Sequence, residues 1–139
     1  MQPAPRTLSV ERLPIRDERD VVVVRSRVRE LAETLGFDPF AAAAVTTAAS
    51  ELARNAWCHG HGGHAVLEQI SDGTRKGIRA AFCDQGPGIA DMRHALEGGS
   101  TGQSLGLGLS GSRRLVDDLA IETARPRGTA VTIVKWARY

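Results

Sequence analysis

The stretch "GQSLGLGLSGSRRL", residues 102–115, contains glycine patterns that three unrelated protein classes use, and each class has a different fold. Gly106 to Gly111 match the G-x-G-x-x-G dinucleotide fingerprint, and Gly102 to Gly106 match the G-x-S-x-G nucleophile elbow of serine hydrolases. A third interpretation is a glycine-rich loop that leads into a helix, where backbone amides can hold phosphate oxygens. The rest of the chain decides among them.

The order of features along the chain excludes the first two interpretations. A dinucleotide fingerprint must follow a strand, whereas residues 93–104, "RHALEGGSTGQS", read as a helix end and a loop. A hydrolase of that class needs a histidine after its nucleophile, and all four histidines precede Ser104. A P-loop needs a lysine in the motif, and none lies between Lys76 and Lys135. A phosphate-holding loop remains, although a plain connection has the same composition.

Length and composition indicate one globular domain. The 139 residues are 42% hydrophobic and 24% charged, so we expect a flexible terminus at residues 1–7 and a single domain over 8–139. The formal net charge of +2 is too small to favour nucleic acid as the main partner. Two cysteines, Cys58 and Cys83, suggest a reducing compartment. With no apolar run of membrane-spanning length, we expect a cytoplasmic protein with no membrane partner.

Hydrophobic periodicity predicts the element order β-α-α-β-β-α-α-β-β. Asp38 followed by Pro39 is typical of a helix start. The predicted strands are Leu8–Ile15, His64–Ile70, Gly77–Asp84, Leu119–Ala124 and Thr129–Trp136, and the predicted helices are Asp17–Gly36, Asp38–Trp57, Asp91–Leu96 and Leu109–Leu119. This order predicts an α/β (α+β) two-layer sandwich, in which a mixed, mainly antiparallel sheet carries helices on one face.

Two polar residues on the second helix are candidates for chemistry. Glu51 and Asn55 are four residues apart and therefore share one helix face. In a helix otherwise rich in alanine, the asparagine offers a neutral oxygen suited to Mg²⁺, and the glutamate offers a base. The alternative is a solvated polar face on which Glu51 and Arg54 form a surface pair.

A carboxylate at the end of a predicted strand is the next candidate. Asp84 ends a buried-looking strand and is followed by Gly86 and Gly88. It could accept a hydrogen bond from the exocyclic amine of adenine, while the glycines let the backbone approach the nucleotide. The alternative is a strand exit in which the aspartate caps a turn.

Taken in order, these motifs resemble the boxes of one superfamily. Glu51-x-x-x-Asn55, Asp84-x-Gly86-x-Gly88 and Gly106-Leu-Gly108-Leu resemble the N, G1 and G2 boxes of the GHKL ATPase/kinase superfamily, which has the Bergerat ATP-binding fold. Gly128-Thr129-x-Val131 resembles its last box. Within the superfamily the chain is most similar to the small stand-alone serine/threonine kinases of the RsbT type, which act as switches in stress signalling, with the RsbW-type anti-sigma kinases as the alternative.

The resemblance implies a set of site residues and two cofactors, ATP and Mg²⁺. Glu51 would be the catalytic base, Asn55 would hold Mg²⁺, and Asp84 would select adenine. The implied nucleotide-binding residues are Asn55, Asp84, Gly86, Gly88, Ile89, Ser100, Thr101, Gly102, Gly106, Leu107, Gly108, Leu109 and Thr129.

The resemblance also implies partners. An RsbT-like kinase phosphorylates a serine or threonine of a STAS-domain protein and binds a PP2C-type phosphatase, whereas an RsbW-like kinase also sequesters a sigma factor. A different class, a non-catalytic module whose binding surface ATP shapes, stays open as a rival. The run "CHGHGGH", residues 58–64, matches no standard zinc spacing, so we expect a turn there.

Overall fold

The computed structural model describes residues 4–86, 109–123 and 128–137. Its elements are β1 (Arg6–Ile15), α1 (Glu18–Thr34), α2 (Pro39–Cys58), β2 (Gly63–Ser71), β3 (Lys76–Asp84), α3 (Leu109–Leu115), β4 (Asp118–Thr123) and β5 (Thr129–Trp136). The helix predicted at residues 91–96 lies outside the described part of the chain.

The five strands form one sheet in the order β1-β2-β3-β5-β4. All four pairings in the described ranges are antiparallel, so the parallel component of a mixed sheet does not occur there. The helix pair explains the direction of β2. Helix α1 runs back along the sheet, and α2 returns to the end where β1 finished. Strand β2 therefore runs antiparallel to β1, with Ile15 beside Gly63. The predicted α+β sandwich is confirmed.

Local sequence signals determine where both long helices begin. The side chain of Asp17 accepts a hydrogen bond from the amide of Asp20 at 3.1 Å, and Asp38 does the same for Ala41 at 2.7 Å. These bonds satisfy amide groups that a helix start leaves unpaired. Gly36 takes a left-handed φ of 77° just after α1, as a helix-ending glycine does.

The helices cover one face of the sheet, as predicted. The valine run of α1 is helical because Val21, Val24 and Val28 are buried at helical spacing while the valines between them face solvent. Small alanines on the buried face of α2 allow close packing. One core cluster joins these helix residues to the sheet residues Ala65, Leu67, Ile78, Ala80, Phe82, Val131 and Ile133.

The observed element boundaries lie within two residues of the predicted ones, except at the end of α3. Strand β1 starts at Arg6, before the predicted Leu8. The helix predicted through Leu119 ends at Leu115, because Asp117 bonds to β5: its amide donates to the carbonyl of Val134 at 2.9 Å, and its carboxylate accepts from the amide of Trp136 at 2.8 Å. Pairing with β5 therefore outweighs the helical period of this segment.

None of the helices in the described part is long and apolar enough to cross a membrane.

Candidate nucleotide-binding site

Helix α2 presents Glu51 and Asn55 on one side, while the apolar residues of the same turn are buried. Glu51 is exposed and Asn55 is half-buried, whereas Leu52, Ala53 and Ala56 pack into the core. Burial of these three apolar residues fixes the rotation of the helix about its axis. The polar pair therefore lies at a defined place on the surface, one turn before the end of the helix.

The chain leaves α2 through a tight turn that starts on Asn55. The carbonyl of Asn55 accepts hydrogen bonds from the amides of His59 at 2.9 Å and Gly60 at 3.2 Å. The amide of Gly62 donates to the carbonyl of Ala56 at 2.8 Å. These bonds hold Gly60 close to the last turn of the helix.

Asp84 stands half-buried at the end of β3. Its carboxylate accepts a hydrogen bond from the amide of Gly86 at 2.9 Å. Burial raises the pKa of Asp84, although the amides of Gly86 and Thr129 and the nearby His61 oppose the rise. A carboxylate that has lost hydrating water in this way is stabilised by any ligand that donates a further N–H hydrogen bond to it.

Three glycines let the chain close in around Asp84. A Cβ on Gly60 would lie 2.6 Å from Oδ2 of Asp84, and one on Gly86 would lie 2.6 Å from the Cα of Gly60. Gly128, with φ at 79°, donates its amide to the carbonyl of Gly86 at 2.6 Å. The ends of α2 and β3 and the start of β5 thus meet at one point.

Gly60 is a site residue that the sequence pattern does not indicate, because the run at 58–64 reads as a turn. The available signal was a glycine directly after the end of the helix that carries the predicted base. Its role depends on packing against β3, which local pattern does not report.

Two further predicted residues lie in the described part. Thr129, only 8% exposed, is the register partner of Asp84 across β3 and β5. Leu109 starts α3 and is buried in the core. The structure therefore brings Thr129 next to Asp84, while Leu109 anchors the helix that follows the glycine-rich loop.

Eight predicted site residues lie outside the described residues, so their roles stay predictions. They are Gly88, Ile89, Ser100, Thr101, Gly102, Gly106, Leu107 and Gly108.

The fold separates the cysteine and histidine residues of the run at 58–64. Cys58 and His61 are exposed in and after the last turn of α2, whereas His64 lies in β2 opposite Cys83. Its Nδ1 is 3.4 Å from Nη2 of Arg12, and burial together with that charge lowers the pKa of His64. Over the described ranges, no group of three or more histidine, cysteine, aspartate or glutamate side chains is placed to hold a metal ion.

Comparison with known proteins identifies the class to which this fold and site belong. The profile of the histidine kinase-like ATPase domain matches residues 14–135, so the chain belongs to that family. This agrees with the GHKL resemblance found in the sequence. A curated relative, the serine/threonine-protein kinase RsbT of Bacillus subtilis (strain 168), is 41% identical over 125 residues. That match covers 89% of this chain and 94% of the relative, which confirms the predicted kinase group and enzyme class.

Solved structures share the fold at low sequence identity. One, from Mycobacterium tuberculosis and comprising RsbU and RsbW domains, matches with a TM-score of 0.65 and 22% identity. The match covers 94% of this chain and 33% of that one. The SiaB–SiaC complex of Pseudomonas aeruginosa matches with a TM-score of 0.56 and 14% identity, covering 94% of this chain and 91% of the matched chain. Both support the fold alone.

Proposed function

We propose that this chain is an ATP-dependent serine/threonine protein kinase that acts in a partner-switching stress-signalling pathway. The observation that carries the proposal is the meeting of the α2 end with the Asp84–Thr129 pair through Gly60. A nucleotide bound over Asp84 would then extend toward Glu51 and Asn55. The 41% identity to a kinase over most of the chain supports the same activity.

The adenine end of the site is the carboxylate of Asp84. It accepts a hydrogen bond from the exocyclic amine of adenine, which replaces part of the hydration that burial has removed. Thr129, the register partner of Asp84, lies beside it. Because Gly60 and Gly86 carry no side chains, the turn after α2 packs directly against this carboxylate.

The phosphate end is assigned to α2 and to the glycine-rich loop. Asn55 holds Mg²⁺ through its amide oxygen, a hard neutral donor that suits this ion. An ion held there would neutralise charge on the phosphate oxygens. The amides of residues 102–108, with Ser100 and Thr101, hold the β- and γ-phosphates.

Glu51 is the proposed general base. It takes the proton from a serine or threonine hydroxyl of the substrate while that oxygen bonds to the γ-phosphorus. The bond from the γ-phosphorus to the β–γ bridging oxygen breaks, and ADP leaves. Glu51 is exposed, as this role requires, because the hydroxyl arrives on another protein.

The proposed partners are a STAS-domain protein as substrate and a PP2C-type phosphatase as the protein that the kinase binds when free. Phosphorylation adds up to about two negative charges to an interface, which is enough to release a bound partner. A retained base at Glu51 favours the kinase over a non-catalytic binding module. If a sigma factor binds the chain as well, the assignment moves to the RsbW-type alternative.

The test is intact-mass spectrometry of STAS-domain proteins from the same genome after incubation with the chain and Mg-ATP. We expect one phosphate on one of them with wild type, no gain with Glu51→Gln, and a wild-type rate with Glu122→Gln, a change at an exposed position of β4. Glu51→Gln should still bind ATP. Transfer by Glu51→Gln at the wild-type rate would exclude Glu51 as the base, and no gain on any candidate would favour the binding module.

A further inference from the structure

The outer face of α2 begins with a large apolar side chain that the fold does not use. Phe40 is 87% exposed, the highest value among the large hydrophobic residues that face solvent in the described ranges. The aromatic residue that packs at this end of the helix is Phe37, which is 8% exposed and belongs to the core cluster. Removing Phe40 would therefore leave no cavity in the core.

Phe40 points in nearly the same direction as Glu51. The exposed positions of the helix between its ends are Phe40, Ala43, Thr47, Glu51 and Arg54. Eleven residues of α-helix separate the first from the proposed base by about 16 Å along the axis and about 20° around it. The two side chains thus stand at the ends of one rigid row, with only small residues between them.

A groove runs beside this row between α1 and α2. It has a volume of about 490 Å³, and its lining includes Phe37, Ala42, Ala43 and Thr47, with Arg29 and Glu33 on the α1 side. Its floor is therefore largely apolar and one rim is charged. This combination suits a protein surface that buries an apolar side chain and keeps polar groups at the edge.

We propose that Phe40 and this groove form the docking site for the protein substrate of the kinase, whose hydroxyl Glu51 deprotonates. The inference rests on the proposed kinase function. A substrate whose hydroxyl reaches Glu51 contacts one end of the exposed row of α2, and the small side chains of Ala43 and Thr47 leave room for it to extend along the helix to Phe40. An apolar side chain of the substrate then covers Phe40, which acts as the aromatic anchor of the interface.

The test measures the rate of phosphate transfer against the concentration of the STAS-domain protein phosphorylated by wild type. We expect Phe40→Ala to raise KM about tenfold, the loss typical of an aromatic anchor, while kcat stays within about twofold. The matched control is Val10→Ala, an exposed apolar residue (63%) on the edge strand β1, which should leave both constants unchanged. An unchanged KM for Phe40→Ala, or a loss in kcat alone, overturns the docking site.

Calorimetric binding of the same protein to the Glu51→Gln background separates docking from chemistry. We expect Phe40→Ala to weaken this binding about tenfold while the Kd for Mg-ATP is unchanged. Failure of the kinase proposal would appear differently, as STAS-domain proteins of the same genome that bind wild type and gain no phosphate from it. Equal binding with and without Phe40 overturns the docking site. So does a loss of self-association, seen by light scattering, with no change in substrate binding, because Phe40 would then contact a second copy.

Discussion

At the scale of single residues, Asp84 combines a cost to folding with its proposed role in nucleotide binding. Burial raises its pKa, so the folded state holds the proton more tightly than the unfolded chain does. Stability contributed by the protonated form is complete below the unfolded pKa, near 4, and is lost as pH rises through the folded pKa. At neutral pH the ionised carboxylate therefore reduces the stability of the nucleotide-free protein.

The variant Asp84→Asn separates these two effects. Its amide oxygen can still accept from Gly86, but no buried charge forms, so we expect a higher Tm than wild type at pH 7. The gain should shrink as pH falls below the folded pKa of Asp84 and vanish near pH 4. The Kd for ATP should rise by about tenfold or more, since the adenine amine loses a charged acceptor. Calorimetry over this pH range checks both, with exposed Asp118→Asn as control; a Tm gain that is independent of pH would contradict the argument.

At the scale of elements, the sequence predicts well what is encoded within each helix or strand. Helix α2 was predicted closely because Asp38, Pro39 and the apolar spacing are all local. The predicted end of α3 was wrong because Asp117 forms hydrogen bonds to a strand that comes later in the chain. The role of Gly60 could not be predicted from local sequence for the same reason. A side chain at this position would collide with Asp84 of β3, which is distant along the chain.

The junction of α2 with β3 can be tested by adding one methyl group. Gly60→Ala places a Cβ against the carboxylate of Asp84, so we expect a loss of about 1–3 kcal/mol in the free energy of unfolding and weaker ATP binding. Gly111→Ala is the matched control: among the described residues, no atom outside its own helix backbone and chain neighbours lies within 4 Å of its Cβ, and it sits within α3. There we expect a gain of about 0.5–1 kcal/mol. Urea denaturation measures both changes in the free energy of unfolding. An unchanged free energy of unfolding in Gly60→Ala would mean that Asp84 can move aside without cost.

At the scale of the whole molecule, the sheet and its single helical layer followed from periodicity, and the order of the polar motifs indicated the superfamily. The site depends on more than order. Residues 51–60, 84–86 and 128–129 come from three separate parts of the chain, and only the register of β3 with β5 and the turn after α2 bring them together. That convergence implies that one nucleotide would link the end of α2, the end of β3 and the start of β5.

Such a link should be visible as thermal stabilisation by Mg-ATP. At a ligand concentration of about 100 times Kd, binding adds about 2.7 kcal/mol, which corresponds to a rise in Tm of several degrees for a domain of this size. We expect this rise in wild type and Glu51→Gln, little in Asp84→Asn, and in Asn55→Ala only the smaller rise that ATP gives without Mg²⁺. Differential scanning calorimetry with and without EDTA makes the comparison. Loss of the rise in Glu51→Gln would show that Glu51 holds the nucleotide rather than the substrate proton, and a full Mg²⁺-dependent rise in Asn55→Ala would move the metal to other residues.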